Sequence, residues 1–174
     1  MMDALWVFGY GSLIWNPGFV VAERRLARLD GWHRSFCMKS VQYRGTPERH
    51  GLVLALDARA GAVCHGVALR AADPATALPY LRDRELTGSG YEERFVPLQT
   101  DQGEVTGLTF VITPAQPDYL ALPMDLQARA IAQAVGARGP NRDYLFATAD
   151  HLAQLGIPDP EMEALVAMVK AQPL

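Results

Sequence analysis

Cysteine is scarce in this chain: 174 residues contain two, Cys37 and Cys64. Both sit in apolar surroundings and read as buried free thiols of a reduced cytosolic protein, not as a disulfide framework. Their spacing fits no zinc motif, and the four histidines, His33, His50, His65 and His151, include no pair at metal-ligand spacing. No metal is expected. A surplus of basic residues is also missing. The net charge of −3 gives no reason to expect a nucleic-acid partner, and the cluster Arg24, Arg25, Arg28 has no interleaved aromatics and reads as a solvated face. No stretch reaches the ~18 consecutive apolar residues of a membrane span. The start Met1-Met2-Asp3-Ala4 lacks the basic region and long apolar run of a signal peptide, so the expected compartment is the cytoplasm and no membrane partner is expected. A Gly-x-Ser-x-Gly nucleophile elbow is absent, as are the P-loop lysine and the fuller glycine pattern of nucleotide loops. ATP and NAD are therefore disfavoured.

What is present starts at the N-terminus. Trp6-Val7-Phe8-Gly9-Tyr10-Gly11-Ser12-Leu13-Ile14-Trp15 runs from a short apolar strand into Gly-Tyr-Gly-Ser. Glycine has no Cβ to hold a ligand away, and successive N–H groups in a tight turn form an anion-binding concavity. The bland alternative is a sheet-edge turn. A chain of this length buries roughly 70% of its extended surface, so one domain spanning residues 1–174 is the simplest organisation. Strands are expected at Trp6–Tyr10, Trp32–Val41, Leu52–Leu56 and Ala62–Leu69. Asp57-Ala58-Arg59-Ala60-Gly61 reads as a hairpin turn between the last two, and Asp101-Gln102-Gly103 as the turn joining Glu92–Leu98 to Val105–Ile112. Val20–Leu29 has the composition of a helix. Asp73 and Pro74 start a short or bent helix ending near Glu85. Further helices are expected over Met124–Val135, over Asn141–Leu155 with Asn141 as cap, and after Asp159-Pro160, where Met162, Leu165 and Val169 face inward. Strands first and helices last point to an α+β barrel or curled sheet with helices outside it.

Several side chains stand out chemically. Glu85 lies between an apolar helix and the small-residue loop Thr87-Gly88-Ser89-Gly90-Tyr91, where burial favours a carboxylate acting as a base; the alternative is a surface glutamate beside Arg84. Arg44, between Tyr43 and Gly45, offers a guanidinium fork to a carboxylate or belongs to a hydrogen-bonded turn. Tyr144 is a core residue or a hydroxyl donor in a cleft.

These blocks resemble, in order, the ChaC-like γ-glutamylcyclotransferases. The resemblance begins with Trp6 to Pro17. It continues through Gly31-Trp32-His33-Arg34-Ser35-Phe36, Arg44-Gly45-Thr46, Gly51-Leu52-Val53 and Cys64-His65-Gly66-Val67-Ala68. It reaches Arg84-Glu85, Gly90-Tyr91 and Asn141-Arg142-Asp143-Tyr144-Leu145. It implies a γ-glutamylcyclotransferase-like fold, a small mixed β-barrel with flanking α-helices, in which Val20–Leu29 is a strand. It also implies cleavage of reduced glutathione by internal cyclisation, giving 5-oxoproline and cysteinylglycine without cofactor or metal, by a monomer or weak homodimer. The family's catalytic glutamate matches Glu85. Its substrate loop matches Tyr10, Gly11, Ser12 and Leu13, and its late-helix tyrosine matches Tyr144; Arg44 and Tyr91 complete the expected substrate-binding set. One departure stands out. Relatives often follow the glutamate with Gly-Gly-Tyr, whereas here Leu86-Thr87-Gly88-Ser89 precedes Gly90-Tyr91. Rival readings are the same chemistry on other γ-glutamyl amino acids or amines, a non-catalytic binding protein that keeps the loop, and, more distantly, a nucleotide-binding module.

Overall fold

In the computed structural model, residues 3–88 and 90–173 are described. The chain forms two compact units. One comprises residues 1–34 and 56–113, the other residues 35–55 and 114–174.

The first unit is built on β-strands. β1 (Trp6–Gly9), β2 (Val21–Ser40), β3 (Gly51–Ala71), β4 (Glu92–Thr100) and β5 (Gly103–Ile112) close into a barrel in the order β1-β3-β2-β4-β5. β1 runs antiparallel to β3, with Trp6 opposite Arg70 and Gly9 opposite Val67. The circuit closes where β1 meets β5 in parallel, Val7 opposite Leu108. The expected hairpin at residues 101–103 is present: β4 and β5 pair from Glu92↔Val111 to Thr100↔Gly103. Gly103 takes a φ of +102°, which favours glycine.

Two expectations about strands are corrected. The segment expected as a helix at Val20–Leu29 is strand from Val21 onward, as the family resemblance implies and against its helical composition. Exposure alternates residue by residue from Val21 to Leu26, the period of a half-covered strand. The shielded positions are used: Glu23 pairs with Arg25 two residues on and with Arg70 of β3, and the Arg25 guanidinium lies 4.5 Å over the Trp6 ring. Arg25 is thus no part of a solvated face, whereas Arg28 and Arg24, which donates to the Ile14 carbonyl, are exposed as expected. The second correction concerns residues 57–61. They make no hairpin; β3 runs without interruption from Gly51 to Ala71, and Gly61 takes a φ of +79° within it.

α1 (Pro74–Leu86) follows β3. Asp73 caps it by accepting from the Ala75 N–H at 3.0 Å, Pro74 occupies the first turn, and Pro79 lies inside the helix. Its apolar side joins a core of Leu5, Val7, Leu13, Ala71, Ala77, Leu81, Leu108 and Phe110, with Tyr91 and Leu86 packed against it.

The second unit carries α2 (Met124–Gln133), the two-residue strands β6 (Val135–Gly136) and β7 (Gly139–Pro140), α3 (Asn141–Gln154) and α4 (Pro160–Lys170). α2 stops two residues before the expected end because Val135 and Gly136 pair with Pro140 and Gly139. Asn141 does not cap α3. Its buried amide instead donates to the Leu52 carbonyl and accepts from the Leu52 N–H, both at 2.8 Å. Asp159 caps α4 through the Met162 N–H, and Met162, Leu165 and Val169 are buried as expected.

Candidate active site

The N-terminal turn is fixed by its own backbone and by two arginines. After β1, Gly11 leads into a single turn of 3-10 helix over Ser12–Ile14, with Ile14 N–H bonded to the Gly11 carbonyl at 2.9 Å. The first N–H groups of such a turn have no acceptor inside it. β3 approaches closely here: a Cβ on Gly66 would lie 2.4 Å from the Gly9 carbonyl oxygen. The Tyr10 side chain is buried and its hydroxyl donates to the Phe110 carbonyl at 2.7 Å. Buried Arg34 donates from Nε to the Tyr10 carbonyl at 2.8 Å and from Nη2 to the His65 carbonyl. Leu13 points into the core. Of the expected loop residues, Tyr10 and Leu13 therefore spend their side chains on packing. Ser12, half-buried, keeps a hydroxyl facing Arg84.

Arg84 and Glu85 end α1. Nε of Arg84 lies 3.1 Å from Glu85 Oε1, and only 14% of the Glu85 side chain reaches solvent. The same guanidinium reaches the turn. Nη2 donates to Ser12 Oγ at 3.3 Å, and Nη1 donates to the Asn16 carbonyl at 2.6 Å, with Pro17 O and Tyr80 Oη at 3.4 Å. A carboxylate in the last turn of a helix faces the negative end of the helix dipole. Arg84 supplies the compensating positive charge. The surface-glutamate alternative does not describe Glu85: it is largely enclosed and tied through one side chain to the glycine turn. Tyr91 packs against the core beside Leu86. Ser89 of the long loop lies outside the described residues.

In the second unit Arg44 and Tyr144 are neighbours. The Arg44 Cζ lies 5.7 Å over the Tyr144 ring, and Nη1 donates to the Arg138 and Pro140 carbonyls at 2.9 and 3.2 Å. Burial lowers the proton affinity of the Arg44 guanidinium, while Tyr144 and Asp143 act in the opposite sense. Tyr144 packs edge-on to Phe36, with its hydroxyl oxygen accepting from the Leu54 N–H at 3.3 Å. Both side chains hold backbone in place here.

No group of histidine, cysteine, aspartate and glutamate side chains suited to a metal occurs among the described residues. No described helix is long and apolar enough to cross a membrane. Sequence reasoning passed over Arg34 and Arg84 as functional groups. Each stood inside a quoted block, and the signal was an arginine adjoining a candidate loop or base.

The profile of the family described as ChaC-like protein matches residues 5–172. The chain belongs to the ChaC-like family. Among its relatives in this family is the Escherichia coli K12 glutathione-specific γ-glutamylcyclotransferase, 35% identical over 170 residues, covering 95% of this chain and 73% of that protein. Another is Arabidopsis thaliana γ-glutamylcyclotransferase 2-3, 37% identical, covering 96% of this chain and 89% of that one. The ChaC-like fold is matched by the crystal structure of a yeast γ-glutamyl cyclotransferase specific to glutathione. That match has a TM-score of 0.88 at 23% identity, over 97% of this chain and 96% of the yeast chain.

Proposed function

We propose that this ChaC-like chain cleaves reduced glutathione by cyclising its γ-glutamyl unit, in a reduced cytoplasm, with Glu85 as the acid–base residue. The observation that carries the reading is the Glu85 carboxylate, largely enclosed and joined through Arg84 to the Gly-Tyr-Gly-Ser turn. Membership of the family and the names of its relatives support the substrate class.

The chemistry asks little of the protein. The substrate's α-amine attacks its own side-chain carbonyl carbon, a C–N bond forms, and the amide bond to the cysteinyl nitrogen breaks. At neutral pH the amine is mostly protonated. Two protons leave that nitrogen, one to make it nucleophilic and one as the C–N bond forms; Glu85 accepts them in turn as general base and passes them to the departing nitrogen as general acid, which leaves as an ammonium. One carboxylate serves both steps because both nitrogens meet at one carbon. No water is consumed, and the products are 5-oxoproline and cysteinylglycine. Because attack is intramolecular, the main task is holding the substrate folded. The N–H groups of the Tyr10–Leu13 turn, and the Ser12 hydroxyl, serve as donors to the substrate's anionic oxygens. No chemical step is assigned to Arg44, Tyr144 or Tyr91.

The test is product analysis after incubation with reduced glutathione, with γ-glutamyl-alanine as the comparison substrate. Wild type is expected to release 5-oxoproline and cysteinylglycine from glutathione. Glu85→Gln is expected to lower turnover ~10²–10⁴-fold with the fold intact by circular dichroism, and Glu85→Asp, which withdraws the carboxylate by ~1 Å or more, to fail as well. Full activity in Glu85→Gln would remove Glu85 from the mechanism. Turnover of γ-glutamyl-alanine in preference to glutathione would leave the chemistry and move the substrate.

A further inference from the structure

Arginine 84 is adjacent in sequence to the proposed base, yet most of its hydrogen bonds go elsewhere. Successive residues on a helix do not face one another, so an i, i+1 ion pair needs a reason outside the helix. The 12–17 segment supplies it. Two N–H arms of the guanidinium reach Ser12 Oγ, the Asn16 and Pro17 carbonyls and Tyr80 Oη, which leaves Nε directed at Glu85 Oε1. The approach is close along its length: Gly18 has a φ of +76°, and a Cβ there would lie 2.0 Å from the Tyr80 hydroxyl. A planar fork with five donors in fixed directions converts the position of that segment into the position of the carboxylate; an ammonium on a flexible stem does not.

We infer that Arg84 is a positioning residue, resting on the reading of Glu85 as the base: its guanidinium, clamped by Ser12, Asn16 and Tyr80, holds the Glu85 carboxylate at a fixed place relative to the glycine turn. The carboxylate is thereby set before substrate arrives. Arg84 touches no reacting atom in this scheme. Its effect on kcat passes through Glu85.

The experiment compares wild type, Arg84→Gln, Arg84→Lys, Glu85→Gln and the double variant Arg84→Gln/Glu85→Gln. Initial rates of 5-oxoproline release are measured over a range of glutathione concentrations, and each protein's thermal melt is recorded. Loss of positioning by about 1 Å costs on the order of 10² in rate. Arg84→Gln is therefore expected to lower kcat by about that factor with KM changed less than about threefold. Arg84→Lys keeps the charge and loses the fork, and is expected to fall between Arg84→Gln and wild type. If Arg84→Gln does not fold, the Lys variant carries the test, with a fall in kcat at unchanged KM as the expected result. The double variant is expected to be no slower than Glu85→Gln, within about threefold, because residues acting as a unit are not additive. Wild-type kcat in a folded Arg84 variant, a loss confined to KM, or full additivity in the double variant overturns the inference. The reading of Glu85 fails separately, by an active Glu85→Gln.

Discussion

Individual side chains in the N-terminal turn divide into those that can meet a ligand and those that build the turn. Tyr10 belongs to the second kind, since its hydroxyl is committed to the Phe110 carbonyl in the interior. Tyr10→Phe strands that buried acceptor and is expected to cost about 1–3 kcal/mol of stability. KM for glutathione should stay within about twofold; a large rise in KM at unaltered stability would assign the hydroxyl to the substrate instead. The expected site positions were legible through the resemblance to the family, since a glycine turn, a glutamate and a tyrosine taken singly each left a structural alternative open. What each side chain touches was not. Leu13 and Tyr10 read as loop residues, yet both side chains are buried, Leu13 in the 3-10 turn packing into the core and Tyr10 bonding through its hydroxyl to the Phe110 carbonyl. Arg34 and Arg84 went unread because partners distant in sequence, the Tyr10 and His65 carbonyls for Arg34 and the 12–17 segment for Arg84, meet them only in the fold.

Among the elements, the two Asp-Pro helix starts were the most readable parts. Asp73-Pro74 and Asp159-Pro160 both start helices where expected, because side-chain capping is a local interaction. Asp159→Ala is expected to lower stability by about 1 kcal/mol, measured by denaturant midpoint at unchanged slope. The long strands were harder to read. Val20–Leu29 has helical composition, but its Glu23, Arg25 and Trp6 contacts exist only once β1 and β3 lie beside it, and tertiary pairing overrides propensity. The Asp57–Gly61 segment looked like a turn because its residues are small or polar, yet it is strand with Gly61 absorbing the bend at positive φ. Gly18 is a stricter case. Gly18→Ala is expected to destabilise the contact between α1 and the 12–18 segment through both its φ and the Tyr80 hydroxyl, and to reduce kcat by displacing Arg84. Wild-type kcat and stability in that variant would show that the segment yields without moving the base.

For the whole molecule, acid is the informative variable. Glu23 and Glu93 both have carboxyls held below the ordinary value of 4.5, Glu23 by hydrogen bonds from Arg25 and Arg70 and Glu93 by those from Arg82. A carboxyl depressed in the folded state stabilises it above the unfolded value and ceases to do so as pH falls through the folded value. Stability is therefore expected to hold from neutrality down to about pH 5 and to decline below about 4.5. Glu93→Gln should flatten part of that decline in melts recorded between pH 3 and 7; an identical acid slope would assign it to other groups. The barrel and the helices that follow it were anticipated from the order of elements. The division into two compact units was not, because neither is a continuous stretch of sequence. The chain passes from one to the other after residues 34, 55 and 113, and β2 and β3 each run through such a crossing. A single cut in the gene thus cannot deliver either unit whole.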